Sequence, residues 1–179
     1  MSSKADLKRS HIIQTAIQYL KDNDLSTLTL DKIASSANIS KGGLLYHFKT
    51  KDTLQTAIAE TIMNEVIQSY EHFASLEQGT GRLTRAFILA SQKDLANGAA
   101  LNIAIQIMQN DHSIISTVYE CLLDELFQDG LEQSVVHLIR LTIDGLYYSQ
   151  LLNIAPISDE ATKGVFEQIM NMTRKDKHT

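Results

Sequence analysis

Apolar side chains recur along this chain at helical spacing, and little interrupts that spacing except short polar breaks. Ile13, Ala16, Ile17 and Leu20 fall on one face of residues 5–22. Leu30, Ile33, Ala34 and Ala37 repeat the pattern after Thr29, and Leu54, Ile58, Ile62 and Val66 repeat it after Thr50. Strand-favouring clusters are scarce, and the one proline is Pro156. The chain is 44% hydrophobic and 21% charged, an ordinary globular composition. Together these features predict an all-α fold of about nine helices.

The breaks divide the chain. Asp22-Asn23-Asp24 ends the first helix. Thr29 can cap the second, with Asp31 in its first turn facing the positive end of the helix dipole. Asn38-Ile39 makes a tight break, Ser40 can cap a third helix, and Thr50 can cap a long fourth. Gly79-Thr80-Gly81 follows no strand, so it reads as a loop and not a dinucleotide site. Helices are expected over about 82–96, 99–109 and 112–128, separated by Asn97-Gly98 and Asn110-Asp111, with Asp129-Gly130 as the next stop. Val135–Leu152 is apolar on most sides, which predicts a helix buried all round, ended by Pro156. A last helix runs from Asp159 to Met172 with Val165, Phe166, Ile169 and Met170 on one side, and the tail Arg174–Thr179 reads as frayed.

The formal net charge is −5, but it is unevenly spread. Residues 1–51 hold eight Lys and Arg against four Asp and Glu, a net +4, and the remainder holds eight against seventeen, a net −9. An anion-binding head on an acidic body would show this asymmetry, although a short segment can reach it by chance.

The stretch SKGGLLYHFKTKD, Ser40 to Asp52, sharpens the choice. Two adjacent glycines sit in a helix of about two turns, where each costs roughly 1 kcal/mol relative to alanine. A helix-turn-helix places its second helix in the major groove of DNA, with polar groups on the flanking phosphates. Gly42 and Gly43 would let the helix start press close to DNA. Ser40, the first amides of the helix, Tyr46, His47 and Lys51 would meet phosphates. Leu44, Leu45 and Phe48 have the spacing to pack beneath the first two helices. Singly, each polar residue here reads as a solvated face and Ser40 as a simple cap. At this spacing, after a capped helix and turn, DNA contact is the better reading.

Thr29–Ala37 followed by SKGGLLYHFKTKDTL resembles the DNA-binding region of the TetR family of bacterial transcriptional repressors. Ser40, Lys41, Gly42, Leu44, His47, Phe48, Lys51 and Leu54 match a common family form, S-K-G-x-L-Y-x-H-F-x-x-K-x-x-L. The motif resemblance covers residues 8–58. Gly43 stands where many members carry a side chain able to meet a base, and Leu45 where many carry Tyr. Base readout would then lean on Lys41, Tyr46 and Ser35 or Ser36. The resemblance implies DNA contacts from Thr29, Ser40, Lys41, Gly42, Gly43, Tyr46, His47 and Lys51, in a head of residues 1–51 on a body of residues 52–179. It also implies a homodimer paired through its last two long helices, and a pocket for a small apolar or aromatic effector. Effector binding would respace the two heads and release a palindromic double-stranded operator.

Met63, Tyr70, Phe87, Met108 and Tyr119 could line that pocket, with Phe73 on the same stripe, although helical apolar spacing is more often plain core. Leu138, Gly145, Leu146, Val165, Phe166 and Ile169 could form the dimer seam, because a helix apolar on all sides near the end of the chain needs cover from two directions. The competing readings are a helical protein-interaction module and an all-α enzyme. The enzyme would need a catalytic or metal-ligand set, and none emerges. The six histidines form no HExxH and there is no CxxC, so no catalytic residue, metal or cofactor is expected. Cys121, among Leu122, Leu123 and Leu126, reads as a buried small residue, and Asp124 and Glu125 as a solvated face. With one cysteine, no signal-type apolar core and no apolar run of the ~18 residues a membrane span needs, a cytoplasmic protein is expected.

Overall fold

In the computed structural model of this chain, residues 3–109 and 113–174 are described. They form α1 (Lys4–Asp22), a 3₁₀ turn (Leu25–Thr27), α2 (Leu30–Ser36), α3 (Lys41–His47), α4 (Lys51–Leu76), α5 (Arg82–Ala96), α6 (Ala100–Ile107), α7 (Ser113–Phe127), α8 (Gln133–Leu151) and α9 (Asp159–Met172). The expected break at Asn110-Asp111 and the tail residues 175–179 lie outside the described residues. Among the described residues there is no strand, and no helix is long and apolar enough to cross a membrane.

Local chemistry sets these boundaries. Ser3 and Asp6 close a capping box at the start of α1, the Ser3 hydroxyl accepting the Asp6 amide and the Asp6 carboxylate accepting the Ser3 amide. Those bonds hold the Asp6 carboxyl below its ordinary pKa. Thr29 Oγ1 accepts the Lys32 amide at 3.2 Å, and Thr50 Oγ1 accepts the Thr53 amide at 3.1 Å. Asn38 ends α2 in the left-handed region at φ 54°, the Ile39 amide donating back to the Ala34 carbonyl and the Asn38 amide to that of Ser35. This is a Schellman ending with asparagine in the glycine position.

The same device corrects one expectation. Pro156 does not end α8; the helix stops at Leu151, five residues earlier. Asn153 turns left-handed at φ 51°, and the Ile154 amide donates to the Ser149 carbonyl at 3.0 Å.

The chain divides into two compact units, residues 1–64 with 103–111 and residues 65–102 with 112–179. In the first, α2 packs on both α1 and α3. Its core holds Ile12, Ile13, Ala16, Ile33, Leu44, Phe48, Leu54 and Ile58. Leu44 and Phe48 are buried as expected, but Leu45 is exposed, because a seven-residue helix turns only one narrow face inward. In the second unit α5 packs against α7, α8 and α9. Ile88, Leu126, Ile139 and Ile143 are fully buried there. Cys121 is exposed, not buried, since the inward stripe of α7 runs through Leu126 instead.

Candidate nucleic-acid interface

The turn at Asn38 delivers Ser40 to the start of α3, where its Oγ accepts the Gly43 amide at 3.1 Å. That cap leaves the amides ahead of it without a helical acceptor. The two glycines are not equivalent. A Cβ on Gly42 would meet nothing within 4 Å, whereas one on Gly43 would stand 3.2 Å from Ser40 Oγ. Gly43 therefore makes room for the cap. Nothing inside the chain calls for a bare Cα at Gly42.

The remaining predicted residues divide by what they already hold. Tyr46 is 79% exposed, its ring edge-on to that of His47 at 5.1 Å. An aromatic ring so exposed on a short helix suits an external partner. Lys41 is exposed but bridged to Asp31 on α2, Nζ to Oδ1, at 2.9 Å. An exposed pair of this kind is worth about 0–1 kcal/mol, so Lys41 can leave it for a stronger anion. Lys51 is half-buried, and its Nζ donates to the Leu25 carbonyl at 3.4 Å, which ties the 3₁₀ turn to the start of α4. Thr29 serves as the cap of α2.

Several side chains beside this face escaped the sequence reading. Lys32 donates to the Thr27 carbonyl at 3.1 Å and lies 6.0 Å from the Tyr19 ring centroid. Hydrogen bonding to Thr27, with Lys32 adding to it, lowers the Tyr19 pKa from its ordinary value. The Arg9 guanidinium lies 5.0 Å from the Phe48 ring centroid. His11 Nε2 is 3.1 Å from the Ala37 carbonyl, so the ring donates to the last turn of α2. A side chain reaching back from α1 has no signature in local spacing.

The expected pocket residues fall in both units. Met63 is buried and Met108 half-buried in the first. Phe87 is buried in the second, where Tyr70 and Tyr119 are half-buried. Tyr70 donates to Glu125 at 3.1 Å, so Glu125 is more than a solvated carboxylate. Tyr119 donates to Asp144 at 2.7 Å, and Tyr147 to Asp94 at 2.9 Å. Burial, then the facing carboxylate, raises all three phenols above the ordinary tyrosine range.

Of the expected seam residues, Leu146, Phe166 and Ile169 are buried within the chain and Val165 is half-buried. Leu138 and Gly145 are exposed. They belong to a stripe at helical spacing, Leu138, Leu141, Gly145 and Tyr148 on the outer side of α8 with Leu152 at its cap. The helix is thus apolar on two sides, with one covered by its own chain. Among the described residues no group of three or more His, Cys, Asp or Glu gathers to hold a metal ion.

Comparison with known proteins gives two family matches. Residues 12–58 match "Bacterial regulatory proteins, tetR family", and residues 81–174 match "Tetracyclin repressor-like, C-terminal domain". A curated relative, the "Probable acrEF/envCD operon repressor" of Escherichia coli (strain K12), is 31% identical over 71 residues. That match covers 36% of this chain and 32% of the relative, so the chain spans about a third of the relative's length. A TetR-family transcriptional regulator from Haemophilus influenzae RD shares the fold with a TM-score of 0.65 at 15% identity, over 95% of this chain and 98% of that one. The multidrug binding protein EbrR, solved with ethidium, does so with a TM-score of 0.60 at 16% identity, over 90% and 97%.

Proposed function

The chain belongs to the TetR family of bacterial regulatory proteins, and on that premise we propose that it is a cytoplasmic repressor that binds a pseudo-palindromic operator as a homodimer and is released by a small apolar or aromatic effector. The family's members are transcriptional regulators, not enzymes. The observation that carries the DNA reading is the outer face of α3. It offers an exposed tyrosine, a lysine held only by a weak surface pair, and a glycine whose missing side chain nothing in the chain requires. Thr29, Ser40, Lys41, Gly42, Gly43, Tyr46, His47 and Lys51 form the contact set in a head of residues 1–51, and residues 52–179 form the body. Phosphate contacts would position α3, and Tyr46 and Lys41 would reach base edges.

The exposed apolar stripe on α8 supports the homodimer, because a soluble chain rarely leaves such a row uncovered. Leu138, Leu141, Gly145, Tyr148 and Leu152 would meet their own copies across a two-fold axis. The ethidium bound by EbrR supports an aromatic effector, with Tyr70, Phe87 and Tyr119 of the second unit as candidate lining. α4 runs unbroken from Lys51 to Leu76, so a ligand that tilts it would change the spacing of two heads on one duplex.

The test is selection of bound duplexes from a random library, followed by affinity measurement on the enriched sequence. Two related half-sites should emerge about 34–36 Å apart, or somewhat further. A panel of aromatic compounds should then contain members that weaken operator binding about 5- to 150-fold. No enrichment would end the DNA reading. Enrichment with no responsive compound would leave a repressor without this effector class.

A further inference from the structure

A groove of about 510 Å³ opens between α1 and α3 in the first unit. Lys4, Lys8 and His11, at i, i+4 and i+7 on one face of α1, form one wall. Ser40, Tyr46 and His47 form the other. The lining carries two lysines and two histidines and no carboxylate. The α1 side is held in shape by the Ser3–Asp6 capping box, and His11 is fixed to the Ala37 carbonyl.

The cations near this face are in different situations. Lys41 is bridged to Asp31, Lys51 is bonded to the Leu25 carbonyl, and Lys32 is bonded to the Thr27 carbonyl. Among the described residues Lys4 and Lys8 are in no ion pair, and both are exposed. A pair of unneutralised ammonium groups one helical turn apart is mildly repulsive on its own. An anion between them reverses that sign. Hydroxyls of serine and tyrosine together with lysine ammonium groups are the donors that meet phosphodiester oxygens.

We propose that the α1–α3 groove seats a backbone phosphate of the operator, held by Lys4 and Lys8 and lying outside the stretch of DNA read by α3. This rests on the DNA reading above and extends the contact surface to the start of α1, ahead of the helix-turn-helix residues assigned to DNA. An acidic protein segment is the less favoured occupant, because Tyr46 and Ser40 belong at once to this groove and to the face assigned to DNA.

The test compares the full chain with Lys4→Gln/Lys8→Gln, and with Lys21→Gln as a control at the far end of α1, on the selected operator and on a scrambled duplex. The double variant should lose affinity for both duplexes by a similar factor, so their ratio is kept. Its log K against log salt slope should fall in magnitude by about 0.9, the loss of one phosphate contact. Ethylation interference should show one phosphate flanking the α3 contacts whose modification weakens the wild type and no longer weakens the double variant. An unchanged slope and footprint, with wild-type binding intact, would overturn the groove assignment and leave the DNA reading standing. So would protection of the groove by inorganic phosphate without any change in the DNA slope, which would mark a free-anion site. If the wild type binds no duplex at all, both readings fall.

Discussion

In the first unit the polar side chains that bear on function face outward, whereas in the second they are turned in and matched. Tyr46, Lys41, Lys4 and Lys8 are exposed, and the carboxylate that Lys41 holds is exposed as well. In the second unit Arg85 is 6% exposed. Its guanidinium donates to Glu77 and to the carbonyls of Gln78 and Thr80. Asp129 accepts from the amide and hydroxyl of Thr84. Asp94 accepts the amides of Ala100 and Leu101 together with the Tyr147 hydroxyl. Charge placed inside fixes the angles between helices, because breaking its partnership is costly; charge left outside costs little to redirect. Substitutions in the outer set should therefore change binding with little effect on folding, and substitutions in the inner set should do the reverse.

The largest effect should come from Arg85. Arg85→Met leaves Glu77 and two carbonyls without their donor, and should lower unfolding free energy by about 3–5 kcal/mol. Denaturant titration measures this, and a loss under about 1 kcal/mol would erase the contrast between the two units. Next is the stripe on α8. Leu141→Glu places a charge in the proposed seam while Leu141 touches solvent in the single chain. It should weaken self-association by roughly 3 kcal/mol, about a hundredfold, and weaken operator binding with it. Sedimentation equilibrium showing an unchanged dimer would remove this face from the seam. Leu146, buried in its own chain, would report on folding instead.

A smaller effect separates the two units by pH. Tyr70, Tyr119 and Tyr147 have pKa values raised above 10.0 by burial and by their carboxylate acceptors. A raised folded-state pKa gives stability that is complete below the unfolded value and is lost as pH climbs past it. The second unit should weaken above pH 10, with these phenols ionising only as helix signal is lost. Tyr19, its pKa lowered by Thr27, should ionise earlier with the fold intact. Tyrosinate absorbance and far-ultraviolet circular dichroism recorded together, with Tyr→Phe variants to assign each phenol, would show it. All four ionising in one step would contradict the contrast.

The helix plan was legible in the sequence because its causes are local. Thr29, Ser40 and Thr50 each cap the helix they were expected to cap, and Asn38 turns where a break was expected. The final helix keeps the limits its apolar spacing suggested. What was not legible depends on distant partners. Lys41 looks free until Asp31, ten residues away in sequence, is folded beside it. Lys51 looks unpartnered until folding brings the Leu25 carbonyl, 26 residues away in sequence, within its reach. Cys121 lies among leucines in sequence but on the outer side of its helix. Pro156 drew the end of α8 because proline is a loud signal, while Asn153 did the work through a backbone conformation that composition does not announce. Lys4 and Lys8 enter the sequence reading only within the +4 charge of residues 1–51, because the groove they line forms only when α1 folds against α3.

The claim that the outer face of α3 is built to lie against DNA is tested most directly by Gly42→Ala, measured twice. A Cβ there meets nothing in the chain, so alanine should raise folding stability by up to about 1 kcal/mol. The same methyl group should intrude where α3 approaches the duplex, and affinity for the selected operator should fall about tenfold or more, some 1.4 kcal/mol. Opposite signs for stability and affinity are the predicted result. A variant that is more stable and binds the operator as tightly as the wild type would contradict the account.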